Sequence, residues 1–286
     1  MKLTSPSSVR MLLAELDVHP SKVLGQNFLI DQNILDIILA TASIGPDDCV
    51  LEIGAGLGVL TERLLQTANR VMAVEVDRRL LSYLADRFSG ADNLELVCAD
   101  ALDLDYNQIA DSGFRKVVAN LPYSVGSRVL MDMVMISSPM EHIVVTVQLE
   151  VAKRIMASEG NGDYGLMSVW IQLIYDVGIR KTVMGTCFWP SPTVSSAVVE
   201  MRRKPGPVMT CTEKDRFRRL TKYAFSQRRK QLKTILHNAP PGLRLMPGDA
   251  ENLLIELGVD VKARPSDLSV EQWCQLTNML TCNMQR

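Results

Sequence analysis

The run Cys49-Val50-Leu51-Glu52-Ile53-Gly54-Ala55-Gly56-Leu57-Gly58 decides the fold. A short apolar strand passes directly into three alternating glycines, and Gly58–Gln66 follows with the pattern of a helix. Glycine has no Cβ, so a strand-to-helix turn built from it lets the backbone approach a ligand closely. The same residues also permit tight helix–strand packing, and the turn alone does not separate the two readings. Its spacing is G-x-G-x-G rather than the G-x-G-x-x-G of dinucleotide binders.

Working outward, apolar runs and helical stretches alternate. Strands are expected at Val71–Glu75, Leu94–Cys98, Lys116–Ala119 and Ile143–Val147. Helices are expected at Arg78–Phe88, around Gln108, at Val125–Val134 and at Glu150–Ser158. Upstream lie a short helix over residues 6–17, opened by Ser5-Pro6, and an extended segment Val23–Leu29. Asp31 then caps a helix carrying Ile34, Leu35, Ile38 and Leu39 on one face. This order predicts an α/β, Rossmann-like domain with a mostly parallel sheet covered on both faces. Asp176–Val183 and Ala197–Arg202 read as a closing antiparallel pair. Pro205-Gly206-Pro207 reads as a linker. Beyond it Glu213–Phe225, Arg229–Asn238, Ala250–Leu257 and Val270–Met279 are helical in pattern. The expected organisation is a catalytic, ligand-binding domain over residues 1–205 and a smaller all-helical domain over 206–286.

Composition fits a folded chain: 286 residues, 47% hydrophobic and 22% charged. The net charge of −1 speaks against a nucleic-acid partner only until it is divided. Residues 1–205 carry 18 Lys/Arg against 24 Asp/Glu, a net −6, whereas 206–286 carry 13 against 8, a net +5. Thr212–Lys233 alone holds nine basic residues against two acidic ones. Such asymmetry fits an anionic partner, and a merely solvated helix face is the alternative. No apolar run approaches the ~20 residues that cross a membrane, and no apolar leader follows Met1, so the cytoplasm is the expected location. The six cysteines show no C-x-x-C spacing and read as reduced, most of them as small core residues. The three histidines are isolated, and no metal site is expected; His142 reads as structural.

Three further positions converge on the crevice at the carboxyl ends of the strands. Glu75 ends the second strand, 21 residues after Gly54, where an acidic group can accept both hydroxyls of an adenosine ribose. Asp100, after the third strand, is placed either to accept from an adenine amino group or to cap the following turn. Asn120-Leu121-Pro122-Tyr123, after the fourth, is the most informative stretch. An amino group on a purine is a poor nucleophile because its lone pair is delocalised into the ring. The Asn120 side-chain oxygen and the Leu121 carbonyl can grip its two N–H bonds, and the Tyr123 ring offers a face for the base.

With these residues in place, the chain resembles the S-adenosylmethionine-dependent ribosomal RNA adenine N6-dimethyltransferases, the KsgA-type family. The likeness spans nearly the whole sequence. Its motifs are Gly25-Gln26-Asn27-Phe28-Leu29, Glu52-x-Gly54-x-Gly56-x-Gly58, Glu75, Asp100 and Asn120-Leu121-Pro122-Tyr123. Val147-Gln148-Leu149-Glu150-Val151-Ala152, Phe188-x-Pro190-x-Pro192-x-Val194-x-Ser196 and Phe225-x-x-Arg228-Arg229-Lys230 complete them. The resemblance implies that Gln26, Asn27, Leu29, Gly54, Gly56, Glu75, Asp100 and Asn120 hold S-adenosyl-L-methionine. It implies a catalytic group of Asn120, Leu121, Tyr123 and Phe188, the two aromatic rings sandwiching a flipped adenine. It implies as substrate two adjacent adenosines in the 3′-terminal hairpin of small-subunit rRNA, met within a pre-30S-like particle by a monomeric enzyme. Arg218, Arg219, Lys222, Arg228, Arg229, Lys230 and Lys233 are then expected to lie along phosphates. Alternatives are a resistance-type methyltransferase of large-subunit rRNA, a dinucleotide-dependent dehydrogenase, which the glycine spacing disfavours, and a non-enzymatic assembly factor.

Overall fold

The computed structural model describes residues 3–21, 25–206, 211–246 and 248–283. The first part of the Val23–Leu29 segment and Pro207 of the linker lie outside them. The strands are β1 (Phe28–Leu29), β2 (Cys49–Ile53), β3 (Arg70–Glu75), β4 (Leu94–Cys98), β5 (Lys116–Asn120), β6 (His142–Gln148), β7 (Tyr175–Val183), β8 (Phe188–Trp189) and β9 (Ser196–Arg203). The helices are α1 (Pro6–Glu15), α2 (Gln32–Ala42), α3 (Val59–Leu65), α4 (Arg78–Arg87), α5 (Tyr106–Asp111), α6 (Gly126–Val134), α7 (Leu149–Met156), α8 (Leu166–Ile174), α9 (Cys211–Ser226), α10 (Leu232–His237), α11 (Asp249–Glu256) and α12 (Val270–Asn283).

Two compact units result. The first holds the described residues up to Ala152 together with Asp176–Arg203; the second holds Lys153–Tyr175 and the described residues from Lys204 onward. The single boundary expected near Pro205 is therefore incomplete. Lys153–Tyr175 joins the helical unit because α8 is apolar nearly all round and finds its partners there. Trp170 Nε1 donates to Thr221 Oγ1 of α9 at 2.9 Å, and Tyr164 Oη donates to Leu268 O at 2.9 Å.

In the first unit the sheet order is β4-β3-β2-β5-β6-β9-β7. The first five strands are parallel, and β2, β3, β5 and β6 are almost wholly buried, as their largely apolar sequences require. β4 is an edge strand, and its residues are half-buried or exposed. The later strands close the sheet as an outer pair: β9 runs antiparallel along β6, and β7 pairs with β9 at the far edge. A separate two-stranded ribbon pairs β1 with β8, Phe28 opposite Trp189 and Leu29 opposite Phe188. Two-residue strands carry no periodicity, so no sequence pattern announces them.

Caps set the helix starts. Asp31 Oδ1 accepts from Ile34 N at 3.1 Å, and Asp77 Oδ1 from Arg79 N at 2.9 Å. In the second unit α10 begins three residues later than its pattern suggests, so Arg228, Arg229 and Lys230 occupy the turn after α9. Of the four cysteines whose exposure is described, Cys187 is buried and Cys49 and Cys274 are half-buried; Cys98 is exposed, because β4 has no neighbour on its outer side. The expectation of mostly buried cysteines is thus corrected. His142 is structural, its Nε2 lying 2.8 Å from the buried Glu200 Oε1. Among the described residues no helix is long and apolar enough to cross a membrane.

Gly58 shows how tightly the glycine turn packs. It caps α3 at φ +75°, and a Cβ there would stand 2.7 Å from Leu84 Cδ2 and 2.8 Å from the Phe88 ring. Gly58→Ala is expected to cost about 1–3 kcal/mol, from left-handed strain and overpacking. Urea denaturation measures this, and unchanged stability would refute the packing role.

Candidate active site

The carboxyl ends of β2, β3 and β5 and the residues after β4 enclose a cleft of about 280 Å³. It lies where the strand order reverses, with β3 and β4 on one side of β2 and β5 and β6 on the other. Gln26, Asn27, Leu29, Gly54, Gly56, Glu75, Asp100, Asn120 and Leu121 all line it. The pairing of β2 with β5 covers only Val50↔Lys116 and Leu51↔Val117, stopping short of their carboxyl ends.

Both readings of the glycine turn are realised, at different positions. Gly54 and Gly56, at φ +74° and +58°, face the cleft, and a Cβ on Gly56 would stand 3.3 Å from the Phe28 ring. Gly58 serves packing alone. Gly25 is equally constrained. At φ +64°, its Cβ would meet Ser124 N at 2.8 Å and Tyr123 N at 2.9 Å. The segment 25–29 is thus pressed directly onto the loop after β5.

The carboxyl groups divide their duties. Glu75 Oε2 accepts from Gly56 N at 2.8 Å, and Oε1 accepts from Val76 N and Asp77 N at 3.0 Å each. Burial raises its pKa while these amides oppose the rise. Glu75 therefore shapes the glycine turn, and Oε2 keeps a lone pair for a ligand hydroxyl. Asp100 Oδ1 accepts from Leu102 N at 2.9 Å, the capping role, while its exposed side chain also lines the cleft. Glu52 was assigned nothing by its spacing, yet it is the one charged residue of buried β2. It is 1% exposed, accepts from Thr61 Oγ1 at 2.7 Å, and burial pushes its carboxyl up to about 8.

Asn120 ends β5 and carries the decisive geometry. Its Nδ2 donates to Asn27 O at 2.8 Å. A carbonyl only accepts, so this contact fixes the NH₂ end and aims Oδ1 the other way. Oδ1 is buried and has no partner among the described residues. Gln26 mirrors it: Oε1 accepts from Ser21 N at 3.0 Å, and Nε2 is buried without a partner among them. An orphan acceptor and an orphan donor in the walls of one cleft mark where a ligand's polar groups belong. Leu121 N donates to Thr146 O at 3.2 Å, which holds the loop to β6.

Tyr123 and Phe188 do not line the cleft, and they form no parallel sandwich. Their rings meet edge to face, with centroids 6.4 Å apart and planes at 73°. Phe188 is 1% exposed because β8, pinned to β1, drives it into the core with Leu29, Ile34 and Val198. The Tyr123 hydroxyl shares a hydrogen bond with Ser196. The expected basic residues are in the second unit. Arg218, Arg219 and Lys222 are exposed on α9, with Arg218 lying 5.6 Å over Trp170. Lys233 is half-buried and faces Glu251 at 3.5 Å, so it offers less free charge than its neighbours.

The cleft accepts S-adenosylmethionine on the chemistry of its donor set. Gly54 and Gly56 leave room for close approach, Leu57, Leu80, Val76 and Ala101 supply apolar wall, and Glu75 suits hydroxyl groups. Among the described residues no cluster of His, Cys, Asp or Glu is arranged to hold a metal ion. Glu52 also makes a pH signature. Its carboxyl is neutral when folded and ordinary when unfolded, so its contribution is present at acid pH and lost as pH rises towards about 8. The Tm of the ligand-free protein is expected to fall more between pH 5 and 8.5 than that of Glu52→Gln; parallel curves would refute this.

Comparison with known proteins agrees with this geometry. The model of the ribosomal RNA adenine dimethylase family matches residues 19–282. The chain is 39% identical to ribosomal RNA small subunit methyltransferase A of Pelotomaculum thermopropionicum, over 96% of each chain. Among solved structures it is similar to a dimethyladenosine transferase from Plasmodium falciparum, with TM-score 0.75 and 26% identity, over 90% of this chain and 98% of that one. It is also similar to the 23S rRNA methyltransferase ErmE, with TM-score 0.65 and 27% identity, over 89% of this chain and 100% of the other. A glycine-turned cleft with an orphan amide oxygen at the end of β5, together with these matches, places the chain in the S-adenosylmethionine-dependent ribosomal RNA adenine dimethylase family.

Proposed function

We propose that the protein methylates N6 of two adjacent adenosines in the 3′-terminal hairpin of small-subunit rRNA, giving N6,N6-dimethyladenosines. It acts as a cytoplasmic monomer on a pre-30S-like particle. The observation that carries this reading is the Asn120 amide: oriented by Asn27 O, buried, and left with an unused acceptor in the wall of the cleft. S-Adenosylmethionine supplies a methyl group already activated on a sulfonium. The chain's own residues must then hold an exocyclic amine and stabilise the positive charge that grows on its nitrogen. Asn120 Oδ1 and Leu121 O accept its two N–H bonds, draw the nitrogen towards a pyramidal geometry and oppose that charge electrostatically. Tyr123 carries the base on its exposed ring portion, and Phe188 supports that ring from behind with its edge contact. Gln26, Asn27, Leu29, Gly54, Gly56, Glu52, Glu75 and Asp100 hold the methyl donor. The likeness to ErmE raises the large subunit as the other substrate, and the small-subunit relative, at 39% identity, favours the first.

Arg218, Arg219, Lys222, Arg228, Arg229 and Lys230 dock the RNA through its phosphates. All six are exposed, no ion pair to a carboxylate is formed by any of them among the described residues, and phosphate contacts position a substrate without reading its sequence. Each phosphate neutralised releases counterions, so affinity falls with added salt.

Two outcomes test the reading. Asn120→Ala is expected to lose at least about a hundredfold in turnover, the scale of one lost transition-state acceptor, on small subunits lacking the modification. Titration calorimetry should still detect S-adenosylmethionine binding. Near-normal turnover, or methylation of large subunits only, would refute the assignment. Reversing charge at Arg228, Arg229 and Lys230 is expected to weaken rRNA binding and flatten its salt dependence more than reversing three exposed basic residues of the first unit; equal effects would refute the docking role.

A further inference from the structure

Ser196 closes the Phe188–Ser196 motif, and the chemistry above leaves it without a task. It is fully buried, opens β9 and stands in register with Gln148, the last residue of β6. Next to it, Ser195 O accepts from Leu149 N at 2.9 Å. Its backbone is therefore fixed by the antiparallel ladder. Its hydroxyl meets that of Tyr123, 73 residues away in sequence.

Tyr123 is otherwise held by two constraints. Its loop is anchored where Leu121 N donates to Thr146 O at 3.2 Å and where Pro122 O accepts from Gly126 N at 2.9 Å. Its ring edge abuts Phe188. Neither constraint stops the ring from tilting about its side-chain bonds, because an edge contact is soft and the loop holds only the main chain. A hydrogen bond at the far end of the ring, to a hydroxyl set in the sheet, removes that freedom. The half-buried pair does so at little cost, since one hydroxyl donates and the other accepts. Burial also holds the phenol in its neutral form, its pKa raised above the ordinary value.

Resting on the adenine-N6 reading, we propose that Ser196 is a positioning residue: its hydroxyl pins Tyr123 so that the ring face carrying the target base stands at a fixed angle to Asn120 Oδ1. The second methyl transfer depends on this pin more than the first. The unmodified amine offers two N–H bonds to Asn120 and Leu121, whereas the monomethylated amine offers one. With half the polar grip gone, the stacking surface must supply more of the alignment, and misplacements well below 1 Å are felt in rate.

The test is a double-mutant cycle on unmodified small ribosomal subunits with S-adenosylmethionine. Ser196→Ala and Tyr123→Phe each delete one end of the same hydrogen bond. Each is expected to lower kcat about tenfold, to raise the proportion of monomethyladenosine among products, and to leave the S-adenosylmethionine Kd unchanged. The double variant is expected to be no worse than either single one, because one interaction cannot be lost twice. Ser196→Thr keeps the hydroxyl and is expected to restore turnover and product ratio. Multiplicative losses, a wild-type product ratio in Ser196→Ala, or failure of Ser196→Thr to rescue would overturn the inference. Wild-type protein inactive on adenosine N6 would instead overturn the proposed function.

Discussion

The hydrogen bond from Asn120 Nδ2 to Asn27 O is the constraint on which the site depends. An amide side chain has two ends of similar shape and opposite polarity, and nothing intrinsic to Asn selects between them. The Asn27 carbonyl makes the selection, and what remains is an acceptor aimed into the cleft. The contact joins residues 93 positions apart. It therefore exists only when the segment before α2 lies across the loop after β5. Gly25 makes that approach possible, since any side chain there would strike Tyr123 N and Ser124 N. The pairing of β1 with β8 secures the segment from its other side.

Most of this fold is legible in the sequence because buried parallel strands must be apolar throughout and their connecting helices need caps. β2, β3, β5 and β6 are readable for that reason, and so is Asp31. The cofactor cleft is equally legible, because strand ends in such a sheet converge by topology and Gly54, Glu75, Asp100 and Asn120 each lie at or just after the end of a strand. What escapes is whatever depends on contacts between distant residues. β1 and β8 are too short to carry a pattern. The edge-on posture of Phe188 follows from its place in the core, which no local signal reveals. Glu52 was visible as a charge within an apolar strand, but its consequence depends on how fully it is buried.

Charge separation survives the redrawn division of the chain. The first unit carries 15 Lys/Arg against 22 Asp/Glu, and the second 16 against 10. Moving Lys153–Tyr175 into the helical unit adds as many basic as acidic residues, so the contrast owes nothing to where the boundary falls. A small cationic ligand and a polyanionic substrate make opposite electrostatic demands. One chain meets both by keeping the demands on separate units, so that near-neutrality overall says nothing about either.

The excursion of Lys153–Tyr175 has a consequence for how the chain is made. Because it leaves the sheet after β6 and returns at β7, neither unit is one continuous stretch of polypeptide. During synthesis α8 emerges before α9 and α12 exist, so Trp170 and Tyr164 must wait for Thr221 and Leu268 to be translated. The sheet waits as well, since β9, which supplies the outer neighbour of β6, follows α8. Maturation is therefore interleaved rather than sequential, and a nascent chain halted near residue 175 would present unfinished surfaces of both units to chaperones at once.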